Sequence, residues 1–233
     1  MINVAPRHSS GWGRSIGLVV MFMILATCGG CSLFVMAGKM LWGDPLQPAQ
    51  FRAMTGVNLT KGKHKVLVVC TVPAAISEDF SSLSVDLIEG IARRMKIQGI
   101  DVISPSAVAS WLDDHGSLIT NPNDLAQDFE VDYIAWIEVL KFSLREDEEP
   151  TKASSHLLRG RAQGYTRAFK VEKVGEDKLA LGVYTTEFTI VYPPHQPVSD
   201  LNRSALLFQR EFIDRVCNQL AEQFYDHRPG TDI

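Results

Sequence analysis

Between Val131 and Tyr192 three long runs follow one another with side chains of alternating character and no helical period: "VDYIAWIEVLKFSLR", "LLRGRAQGYTRAFKVE" and "LALGVYTTEFTIVY". Consecutive strands with polar connections pair antiparallel, so this stretch alone rules out an all-helical fold. The breaks agree with that reading. "EDEEPTKASS" (Glu146 to Ser155) is a charged, proline-containing hairpin loop, "GEDK" (Gly175 to Lys178) is a turn, and "PPHQP" ends the last strand. In the middle run Arg159, Arg161, Gln163, Tyr165 and Arg167 face one way, while Leu158, Gly160, Ala162, Gly164, Thr166 and Ala168 face the other. A row of small residues lets a second element approach the sheet closely. The first run is apolar at nearly every position from Val131 to Ile137, as in a strand covered on both faces. From Glu138 it alternates, with Leu140, Phe142 and Leu144 on one side.

Ahead of these strands, "HKVLVVCTV" is a continuous β-branched run, again a strand with both faces buried. "SLSVDLIEGIARRMKIQG" places Leu83, Leu87, Ile88, Ile91, Ala92 and Met95 at helical spacing, with Gly99 as its stop. "IDVIS" is a second strand, "SAVASWLDDHG" a short helix closed by Gly116, and "NDLAQDF" one or two helical turns. The final helix runs from about Leu201 to Tyr225, with Leu201, Ala205, Phe208, Phe212, Val216, Leu220 and Phe224 in one stripe and Ser199 or Asp200 as cap. The order βαβα(α)βββα predicts a single layered α/β domain, bordering on α+β. Its mixed sheet is parallel where helices intervene and antiparallel in the meander.

The chain start is of a different kind. "FMILATCGGCSLFVMAG" (Phe22 to Gly38) sets Cys28 and Cys31 in an apolar run preceded by Arg7, His8 and Arg14, and no Asp or Glu occurs before Asp44. The apolar centre from Ile16 to Ala26 has the size of a signal-peptide core. Counted from Ser15 through Gly38, the run reaches about 24 residues, enough to span a bilayer. A zinc or redox role for the two cysteines needs further ligands or a strand-to-helix setting, and neither is present. The small residues around the cysteines resemble the lipobox of bacterial lipoprotein signals: "LATC" has its leucine and alanine but Thr27 where Gly, Ala or Ser is usual, and "CGGC" has the small residues without the aliphatic one. That resemblance implies a lipoprotein signal with Cys31 or Cys28 as the acylated residue; an uncleaved membrane anchor, a plain export signal and a cytoplasmic protein are the other readings. The expected division is residues 1–31 signal or anchor, 32–62 tether with a short helical turn at "PAQFRAM", 63–228 globular domain and 229–233 tail.

Composition narrows the function. Apolar residues are 45% and charged residues 21% of the 233-residue chain, which excludes wholesale disorder, and a net charge of -4 gives no basic excess for nucleic acid. The turn after the first strand, "TVPAAISEDFSS", has no glycine to cradle phosphate. No nucleophile elbow or zinc-protease motif occurs, and His156 and His195 have no partner at ligand spacing, so no cofactor or metal is expected. Cys70 and Cys217 read as small buried hydrophobes, with a bridge between them left open. Asp113, Asp114 and His115 form the one candidate acid/base cluster, and that enzymatic reading requires a concave polar pocket around them. Against it stands a polar helix end before Gly116. The face of Arg159, Arg161, Tyr165 and Arg167 either keeps the sheet soluble or binds a protein, since Arg and Tyr carry much of the energy at interfaces.

Two local cues, "VISPSAVASWL" and "LAQDFEVDYIAWIEVL", together with the element order from Lys63 to Asp226, resemble a family of bacterial envelope lipoprotein domains. That family includes the curli secretion channel lipoprotein, the lipoproteins that activate penicillin-binding proteins, and the N-terminal domain of TolB. In this chain Phe129 and Glu130 replace the family's aliphatic-Gly pair, and Trp136 and Ile137 stand where a glycine is usual. The resemblance implies a membrane-tethered domain on the periplasmic side that binds another envelope protein without catalysis. It does not imply a channel, because "EDEEPTKASS" is too short and polar to span a membrane as a hairpin. Sequence leaves the oligomeric state open.

Overall fold

The computed structural model describes residues 45–115, 121–145, 157–201 and 204–228, and Gln47 to His227 form one compact unit. Its helices are α1 (Gln50–Thr55), α2 (Ala74–Asp79), α3 (Leu83–Ile97), α4 (Pro105–Asp114), α5 (Pro122–Asp128) and α6 (Ala205–Ala221). The strands are β1 (Lys65–Thr71), β2 (Asp101–Val102), β3 (Tyr133–Arg145), β4 (Leu157–Val174), β5 (Asp177–Tyr192) and β6 (Val198–Ser199). They form one mixed sheet in the order β2-β1-β3-β4-β5, with β6 also paired to β4. As the connections predict, β1 lies parallel to β2 and β3, while β3, β4 and β5 are antiparallel. The fold is the expected α/β domain.

Chain direction decides which face each helix covers. The path leaves β1 for β2, then passes back across β1 to reach β3, and right-handed crossovers send the two connections to opposite faces. One face packs under α3, α6 and α1. Leu83, Leu87, Ile91 and Met95 of α3 are buried there with Phe208, Phe212, Val216 and Leu220 of α6, following the helical periods read from sequence. Gly99, at φ +84°, terminates the turn after α3 in the left-handed region that favours glycine. The other face carries Leu67, Val69 and Ile134, all buried, and receives α4 and α5, whose Val108, Leu125 and Ala126 are buried.

The small-residue row of β4 explains how closely α6 sits. A Cβ on Gly160 would lie 2.4 Å from Cγ of Phe212, and one on Gly164 would lie 2.0 Å from the Glu138 carbonyl oxygen. The alternation read for β4 holds from Leu158 to Ala168: Leu158, Gly160, Ala162, Gly164, Thr166 and Ala168 are buried.

Four local expectations change. Much of the stretch read as tether belongs to the domain, because Phe51 and Leu59 are buried and Phe51 packs edge-on against Tyr133 and Tyr184. Burying a side chain of that size contributes about 3 kcal/mol. Two backbone hydrogen bonds, Gln47 to His227 at 2.7 Å and His227 to Gln47 at 3.0 Å, fasten this segment to the C-terminal strand-like end. Second, "IDVIS" pairs only over Asp101–Val102. Third, Leu140 is 46% exposed rather than aligned with Phe142: the register slips between Val139 and Lys141, so Leu140 is an extra residue and the buried phase moves to Phe142. Fourth, α6 begins at Ala205 after Ser204, and neither Ser199 nor Asp200 caps it. Val198 and Ser199 are held in the sheet as β6, which leaves Leu201 outside the helix and exposed.

Candidate functional site

The strand order 2-1-3 places a switch of direction between β1 and β3, and open α/β sheets form a crevice outside the C-terminal ends of strands at such a point. A hollow of about 570 Å³ lies there. It is bounded by Thr71, Val72 and Pro73 at the end of β1, by Trp136 and Glu138 of β3, by Arg167 and Phe169 of β4, and by Pro122 at the start of α5. The indole N–H of Trp136 donates to Oγ1 of Thr71 at 3.0 Å, fixing the ring across the strand pair. Phe169 stands beside it with centroids 6.0 Å apart. Arg167 reaches Oε2 of Glu138 at 2.9 Å and lies 5.6 Å from the Tyr165 ring centroid. The result is an aromatic wall with a held charge pair at its rim, open to solvent.

The residues singled out from sequence line up along β4 beside this hollow. Arg159, Arg161, Tyr165 and Arg167 share one face, flanked on β5 by Val191, Glu187 and Thr185. They are not equivalent. Arg159 is half-buried and its guanidinium donates to the Pro194 carbonyl at 3.4 Å, so it also braces the loop after β5. Arg167 is engaged by Glu138. Arg161 is exposed, between Ser143 on β3 and Val191 on β5. Sequence reasoning did not single out Trp136, Glu138 and Thr71 as parts of this surface. The lapse of apolar character at Glu138, two residues after an unexpected Trp, was the signal available.

Asp113, Asp114 and His115 do not enclose a pocket among the described residues. Both carboxylates are exposed at the end of α4. The His115 ring stacks on Trp111 with centroids 4.2 Å apart and planes 12° apart, and its Nε2 lies 3.7 Å from Asp128. The Trp111 N–H also donates to Asp128, at 2.7 Å. His115 and Asp128 therefore tie α4 to α5, a structural task that leaves the acid/base reading without its cavity. No group of three metal-ligating side chains occurs among the described residues.

Cys70 and Cys217 are free and buried. Burial, helped by Cys217, pushes the Cys70 thiol far up, and burial raises Cys217 to about 12. Neither is a nucleophile at neutral pH. Cys28 and Cys31 lie outside the described residues, and among the described residues no helix is long and apolar enough to cross a membrane.

No protein-family model and no curated protein matches the chain. Among solved structures it is similar to lipoprotein GNA1162 from Neisseria meningitidis, at 16% identity and a TM-score of 0.36, covering 68% of this chain and 98% of that one. PelC from Paraburkholderia phytofirmans, solved as a dodecamer, aligns at 12% identity and 0.34, covering 71% and 93%. A minor lipoprotein from Acinetobacter baumannii aligns at 14% and 0.30, covering 69% and 91%. Two of these three are bacterial lipoproteins, the kind of protein the sequence resembles. At such identities and scores nothing about a site or a partner passes from them to this chain.

Proposed function

We propose that this protein is a cell-envelope domain held at a membrane by its N-terminal segment, acylated on Cys31 or Cys28, and that it works on the periplasmic side by binding another envelope protein rather than by catalysis. The observation that carries the reading is the half-covered outer face of the sheet. Helices α4 and α5 stop short of it, leaving Trp136 and Arg167 at an open hollow, with Tyr165 and Arg161 further along the same face of β4. Aromatic and arginine side chains placed so are the usual anchors of protein interfaces. Acylation would hold the domain at the bilayer without a span, since each buried methylene contributes about 0.8 kcal/mol.

Two measurements test this. Intact mass spectrometry of the membrane fraction, comparing wild type with Cys28→Ala and Cys31→Ala, should show a diacylglycerol-sized gain that one substitution removes. An uncut, unmodified wild-type mass would favour the uncleaved anchor. Arg161→Glu combined with Tyr165→Ala should abolish capture of the envelope partner in cross-linked cells while the domain stays folded, and an unchanged set of cross-linked partners would refute this surface.

A further inference from the structure

The two edges of the sheet are treated differently. On one side β2 is only two residues long and offers almost nothing to pair with. On the other side β5 runs for 16 residues, and α5 covers only the beginning of its edge. There the Ala180 N–H donates to Oδ1 of Asn123 at 2.8 Å, and Lys178 exchanges hydrogen bonds with Gln127 on α5. Beyond Gly182 that cover ends.

The orientation of the open part follows from the pairing. Val171 donates its N–H to Asp132, on the β3 side, so odd-numbered residues of β4 turn their backbone groups toward β3. Their partners on β5 are Thr185, Glu187, Thr189 and Val191, which turn N–H and C=O away from β4, to the outside. Outside the sheet ladder none of the four has a backbone partner among the described residues, and the Glu187 carbonyl accepts only a long bond from the Thr186 hydroxyl, at 3.5 Å. Natural edges are guarded by lysine, proline or inward charge. A bulge at Val183 guards only the start of this stretch, and from Tyr184 to Tyr192 the strand has none of the others, only Glu187 among threonines, aliphatics and aromatics.

We infer that a second copy of this chain covers this edge, β5 against β5, antiparallel about a two-fold axis at Phe188. Backbone polarity and charge together select that register. Outward-facing residues must meet outward-facing residues, and centring on Phe188 pairs Thr185 with Val191 and Glu187 with Thr189 of the second copy. Eight backbone hydrogen bonds can then form, with no like charges opposed. Centring on Glu187 would set two carboxylates face to face, centring on Thr186 would bring Thr189 against the bulge at Val183, and centring on Thr189 would bring Pro193 against Thr185. Below the strand a hollow of about 350 Å³, lined by Gln47, Pro48, Gln50, Glu222, Gln223 and His227, leaves room for side chains of the added strand that face the helical layer. The contact is isologous, so it closes at two copies. It borders the arginine-tyrosine surface, whose cross-strand neighbours on β5 include Thr185, Glu187 and Val191, but its test reads the mass of the chain alone and does not depend on that reading.

The register predicts opposite effects of opposite charges at one exposed position. In sedimentation measurements on the full chain in detergent micelles, wild type should have twice the protein mass of one chain. Thr189→Glu, which sets a carboxylate opposite Glu187 twice per dimer, should raise the dissociation constant about tenfold, and Thr189→Lys should lower it. Glu187→Lys with Thr189→Glu should restore the dimer. Circular dichroism of each variant checks folding. A wild-type chain that is monomeric at every concentration, an assembly of more than two copies, or a shift of the same sign for both Thr189 variants would each overturn the inference.

Discussion

The two sides of β4 divide packing from recognition within one strand. On one side Gly160 and Gly164 have no room for a methyl group, because Phe212 and the Glu138 carbonyl occupy it. On the other, residues one step along the chain project into a shallow, partly charged surface, where Arg167 pairs with Glu138 and Arg159 donates to the Pro194 carbonyl. Tolerance to substitution should therefore alternate with a period of two along the strand: each step crosses from close-packed interior to solvent.

The sharpest way to break that contrast is Phe212→Ala. It empties the space over Gly160 and should cost about 3–5 kcal/mol in urea unfolding. Gly164→Ala comes next, at about 1–3 kcal/mol, because its Cβ meets backbone rather than a movable side-chain end. A loss well under 1 kcal/mol for either would mean the inner side is looser than described. The third effect is confined to alkaline pH. Burial raises Cys217 from an ordinary 9.0 to about 12, so its contribution is complete below pH 9 and is lost as pH climbs toward 12, where only the unfolded thiol readily gives up its proton. Tyr184, raised to about 12 by burial, adds to the same slope. Urea midpoints across that interval should fall with pH, and less steeply in Cys217→Ala; an unchanged slope would show that this thiol is not the source. Smallest of all, Arg161→Glu should alter stability by less than about 0.5 kcal/mol, sharpening the contrast with the glycine beside it.

Much of this architecture was written in periods. The alternation of β4, the α3 stripe and the buried run of β1 survive because each side chain's face is fixed by its own position in a regular element. What failed depended on pairing. Leu140 leaves the line of Phe142 because β3 carries one residue more than β4 at that point, and nothing in "EVLKF" announces a mismatch set by its neighbour. Phe51 looked like part of a leash because α1 is too short to show a stripe, and its burial comes from Tyr133, Tyr184 and Phe224, each remote in sequence. The hollow was hidden for the same reason: Thr71, Trp136 and Arg167 come from three strands and meet only through register.

The clasp between Gln47 and His227 has a mechanical consequence. Arg52 and the Ala49 N–H also hold the carboxylate of Asp226, so a pull on residues preceding Gln47 loads this corner first, across several bonds at once. Tension arriving along the chain would meet this corner before it reached Phe51.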